Sequence, residues 1–119
     1  MTRARRREAG MVTAEIAVAL PALILVLVLA LAAVATATDH VRCVDAARTG
    51  ARLLARGEPL DAVRRDVARQ APEGARITLE TGADAVRVEV VSEPPPVLRR
   101  LGVHARPRGV AHAVPESAS

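Results

Sequence analysis

Twenty-two consecutive residues, Ile16 to Ala37, carry no charge, and apart from Pro21 and Thr36 all of them are aliphatic. As a helix rising about 1.5 Å per residue, the run spans roughly 33 Å. The hydrocarbon core of a bilayer is about 30 Å thick, so a slightly tilted helix fits it closely. The run therefore reads as a transmembrane helix, spanning about 16–37. Whatever else the chain forms must come from the 82 residues after it, enough for one small domain.

Those 82 residues contain no Phe, Tyr or Trp, so their core must be built from Val, Leu, Ile and Ala. Such a core is thin, and association with other subunits would help it. The net charge of +4 is less informative than its placement. Arg3, Arg5, Arg6 and Arg7 lie just ahead of the apolar run. By the positive-inside bias they hold the N-terminus in the cytoplasm and send residues 38–119 outward. A nucleic-acid-binding role fits poorly, because no aromatic residue is present to stack on bases. All 17 basic residues are arginine, which points to codon bias and gives single arginines little functional weight. Cys43 is the lone cysteine, so an intramolecular disulfide is impossible.

Along the chain, residues 1–10 form a short basic leader ending in Gly10. A long helix is expected from near Val12 to Arg56, within a segment bounded at 11–57. Val41, Val44, Ala47, Ala51 and Leu54 continue its apolar stripe beyond the membrane, while Arg48, Arg52 and Arg56 mark a wetter face. That arginine ladder reads as solvated, with anionic lipid headgroups as its alternative contact. Gly50 weakens this helix by about 1 kcal/mol relative to Ala, and Gly57 suits its C-terminal cap. A second helix is expected over Pro59–Gln70, with Pro59 in its first turn and Asp61 favoured by the helix dipole. Period-two alternation in Arg76–Glu80 and Ala85–Val90, around a turn at Thr81–Asp84, predicts an antiparallel hairpin with one apolar face. Glu93–Pro96 is extended, and Val97–Gly102 is a connector with a helical turn. Val103–Arg106 and Val110–Val114 supply a last strand or a strand pair interrupted at Pro107. The expected fold is thus α+β: a long N-terminal transmembrane helix, then a small exterior domain over 58–114 with an antiparallel sheet of two to four strands. Residues 115–119 are a tail.

Glu15 stands one residue before the apolar run, on its cytoplasmic side. A carboxylate there is tolerated at the helix N-terminus and snorkels into water; it is equally a group awaiting a partner. Its setting is Gly10-Met11-Val12-Thr13-Ala14-Glu15-Ile16-Ala17-Val18-Ala19-Leu20-Pro21. This resembles a type IV prepilin leader, and in particular the TadE-like proteins of tight-adherence (Flp-type) pilus systems, in their actinobacterial minor-pilin form. The likeness continues through Val41–Arg48 and Val110–Glu116, with only the first thirty residues specific. It implies a minor pilin or pseudopilin, a pilus-assembly component matured by a prepilin peptidase that cuts after Gly10. Met11 would become the new N-terminus. Glu15 would pair with the terminal amine of a neighbouring subunit, and Pro21 would let the helix loosen or kink. The implied partners are other pilin or TadE-like subunits, the pilus assembly and secretion machinery, and the lipid bilayer. No nucleic acid or cofactor is implied. Proline is also common in membrane helices without such a role.

Two other readings compete. One is an uncleaved single-pass plasma-membrane adaptor with an exterior interaction domain. The other is a secreted binding module cut after Ala37, since Ala35-Thr36-Ala37 resembles a signal-peptidase site; yet the apolar run exceeds the usual signal core of about 7–15 residues. No enzyme is expected. Cys43 has no recognisable nucleophile partner and reads as a small packing residue, or else an intermolecular disulfide in an oxidising exterior. His40, His104 and His112 lack metal-ligand spacing, Ser92, Ser117 and Ser119 lie at a strand end or in the tail, and no phosphate-binding loop is present.

Overall fold

One helix organises the molecule. In the computed structural model, which describes residues 2–116, α1 runs unbroken from Thr2 to Ala55 over 54 residues. At about 1.5 Å per residue that is roughly 81 Å, and it accounts for overall extents of 90 × 20 × 20 Å. The helix begins ten residues before the expected start at Val12, because Arg3–Glu8 are good helix formers and Gly10 alone does not halt propagation. Its apolar stretch is long enough to cross a membrane.

The outer end of α1 is the central element of a small α+β domain. Gly57, at φ 82°, closes the helix. There the Gly57 and Glu58 amides donate to the carbonyls of Leu54 and Leu53 at 3.0 and 3.1 Å, a Schellman cap. The chain then turns into α2 (Leu60–Gln70), with Pro59 as its N-cap residue rather than inside the first turn. Val63 and Val67 of α2 are buried against α1, and the Thr49 hydroxyl donates to Gln70 Oε1 at 2.9 Å.

Strands β1 (Arg76–Thr81), β2 (Val86–Val91) and β3 (Arg108–Ala113) form one antiparallel sheet in the order β1-β2-β3. In register, Leu79 stands opposite Val88 and Val88 opposite Ala111; Ile77, Val90 and Gly109 form the next row. These alternate residues face the helices, and Val86, Val88 and Val90 are buried. The other face carries Arg87, whose guanidinium bridges Glu89 at 2.6 Å and Glu80 at 3.5 Å, and Arg108, which reaches Glu89 at 3.2 Å.

Among the described residues, one strand follows the prolines. Val103–Arg106 is irregular, since Pro107 has no N–H to give a ladder and Gly102, at φ 83°, turns the chain just before. Pro94–Pro107 instead forms a strap, with the short helix α3 (Pro96–Arg100) inside it, packed on α1. Pro96 opens that helix rather than ending the extended segment.

Candidate functional site

The stem of α1 holds every residue singled out at the N-terminal end. Gly10 and Met11 are consecutive helical residues; a Cβ built on Gly10 meets nothing within 4 Å, and Met11 is 71% exposed. Glu15 lies one turn beyond Met11, also exposed, and its carboxylate makes no hydrogen bond or ion pair with another of the described residues. Residues four and seven positions on from it, Ala19 and Ala22, lie on the same helix face. They floor a shallow apolar groove of about 500 Å³ walled by Ile16, Leu20, Leu23 and Val26. The exposed carboxylate therefore stands at one end of a notch where small side chains let another helix come close.

Pro21 borders that notch. It removes the amide that would donate to the Ala17 carbonyl, yet α1 stays one element through it. The narrow 20 Å cross-section leaves little room for a sharp bend of the stem.

Large apolar side chains remain uncovered along the stem, among them Val18, Leu23, Ile24, Val26, Leu31 and Val34. No family model, curated protein or solved structure matches the chain. The site's meaning therefore rests on its own geometry.

At the other end of α1, Cys43 is fully buried, its Sγ 3.8 Å from the Pro107 carbonyl. Burial, then the nearby Asp39 charge, pushes its thiol above the usual range. Solvent and a second chain's thiol have no access to it in this fold. Two glycines matter more to this region than the sequence signalled. A Cβ on Gly50 would lie 2.7 Å from Val67 Cγ2 and 3.1 Å from Val88 Cγ1. One on Gly109 would collide with the backbone of Cys43 and Val44. The sheet lies this close to α1 because Cys43, Ala46, Ala47, Gly50 and Ala51 present almost no side chain. The three- and four-residue spacing of small residues was the available signal.

The histidines are dispersed. His40 Nδ1 accepts the Arg108 amide at 3.4 Å, His104 is exposed in the strap, and His112 stands opposite Arg87 on the outer sheet face. Among the described residues no cluster of His, Cys, Asp and Glu has the geometry to hold a metal ion. Ser92 is buried and its amide donates to the Pro107 carbonyl at 2.9 Å, closing the strap at its base. Ser117 and Ser119 lie outside the described residues. Arg48, Arg52 and Arg56 are all exposed.

Proposed function

We propose that this chain is a TadE-like minor pilin or pseudopilin. In this reading it sits in the plasma membrane with its N-terminus inside and its domain outside, is trimmed after Gly10, and joins an assembly through its stem. The observation that carries the proposal is the bare apolar stem with one unpartnered carboxylate at its mouth, continuous with the helix that forms the core of the small domain. An apolar surface of this extent needs lipid or other helices around it. Within a bundle of such stems, the Glu15 carboxylate and the freed Met11 ammonium of a neighbour become tolerable together where each alone is costly. A pair of this kind fixes the register of packed helices. The notch at Ala19 and Ala22 gives the neighbouring helix room to reach it.

Cleavage requires the Gly10–Met11 bond to leave its helical conformation, and glycine there is about 1 kcal/mol less favourable to helix than Ala. The unbroken helix across this bond is the observation favouring an uncleaved membrane adaptor. A cut after Ala37 is less consistent with the packing, since the strap shares a groove with Ala33, Thr36 and Ala37 of α1.

The mass of the mature polypeptide separates these readings when the chain is expressed with and without a prepilin peptidase. The pilin reading expects Met11 first, only when the peptidase is present. Retention of Arg3–Arg7 under both conditions identifies the adaptor, and a soluble product starting at Thr38 identifies the secreted module.

A further inference from the structure

The strap sits at the stem end of the domain and overlaps the apolar run. One groove is lined by Ala33, Thr36, Ala37 and His40 of α1 together with Leu98 and Ala105 of the strap. Ala33, Thr36 and Ala37 belong to the last turn of the apolar run, so the strap borders its outer end. Elements that lie in a membrane interface are buried about 5–10 Å into the headgroup and acyl boundary.

The strap's composition suits that level. Leu101 is 57% and Val103 40% exposed, an uneconomical placement in water for a domain so short of core residues. Around them stand the exposed Arg99, Arg100 and Arg106, and no carboxylate occurs between Glu93 and Glu116. Of these three arginines, Arg106 makes an ion pair, at 3.7 Å to Glu93.

We propose that the strap is a membrane-interface element. Leu101 and Val103 enter the acyl boundary of the outer leaflet, while Arg99 and Arg100 contact the phosphates of anionic lipids. The occupant of this surface is the bilayer in which the stem itself stands. The contact fixes the depth of the stem and holds the domain upright on the membrane. It rests on the membrane-spanning part of the reading above and is independent of cleavage and polymerisation.

The test uses the full-length chain in vesicles with Cys43→Ala as background and one new cysteine at a time: Leu101→Cys on the strap, Leu23→Cys on the stem and Asp84→Cys on the β1–β2 turn. Each carries an environment-sensitive fluorophore, and circular dichroism checks that each variant is folded. Quenchers attached to lipid acyl chains are then compared in vesicles of phosphatidylcholine alone and with phosphatidylglycerol added. The expected result is quenching at 23 and 101 but not at 84, stronger at 101 with the anionic lipid. Arg99→Gln with Arg100→Gln should lower the equilibrium constant for lipid contact at 101 roughly thirty-fold in anionic vesicles. Quenching at 23 without quenching at 101 overturns this inference and leaves the anchor standing. Absence of quenching at 23 overturns both. Equal quenching at 101 in both lipids, unchanged by the arginine substitutions, overturns the phosphate contact.

Discussion

Two glycines that look like weak points in a helix and a strand are where the domain closes. Gly50 lowers the intrinsic stability of α1, yet its missing Cβ is the space occupied by Val67 and Val88. Gly50→Ala gains about 1 kcal/mol of helix propensity and loses about 1–3 kcal/mol to overpacking. The net expectation is a loss of about 1 kcal/mol, read as a fall of several degrees in melting temperature. Gly109→Ala meets backbone instead of side chains, so a larger loss is expected in the same measurement. Cys43 gives a second residue-scale expectation. Because the thiol is buried and its ionisation is disfavoured, a soluble thiol reagent at neutral pH should modify it only at the rate of unfolding. Rapid modification of the native chain would show that the strap opens.

At the scale of the element, the outer face of the sheet makes stability depend on pH. The hydrogen bond from Arg87, helped by Arg108, holds the Glu89 carboxyl below its usual range against the opposing effect of desolvation. A group whose folded value is depressed stabilises the fold fully above its unfolded value, about 4.3 for Glu. That contribution is lost as pH falls through the lower folded value. Melting temperature should therefore drop below about pH 4, and Glu89→Gln should flatten the drop while lowering stability near neutrality. The third strand shows where pattern reading ran short. Residues 103–106 alternate no worse than 110–114, but a strand needs a neighbour to pair with. Pro107 withholds its amide, and β2 offers one free edge that Arg108–Ala113 fills completely. The hairpin of β1 and β2 was legible because it closes locally, with alternation and turn in one short stretch.

At the scale of the whole molecule, stem and domain share α1, so whatever locates the stem also locates the domain. If Glu15 sets the register between stems, Glu15→Ala should insert into membranes as the parent does but be recovered less in crosslinked assemblies of the full-length chain. Equal recovery removes the pairing role and leaves the anchor. Of the candidate site, the placement of Gly10, Met11, Glu15 and Pro21 along one helix was legible because it depends only on their order in the chain. The notch at Ala19 and Ala22 needed only the 3.6-residue period, yet its walls and floor become apparent only with side chains in place.

The stem, the α+β order of elements and the apolar face of the hairpin were legible from residue order alone. Each of these depends on neighbours a few residues apart and on the cost of placing apolar or charged groups in water or lipid. Only the packed fold shows that small residues bring β3 against Cys43 and that the strap lies beside the outer end of the apolar run. Those contacts join residues about sixty positions apart. Their energies depend on shape and distance, which no local pattern carries.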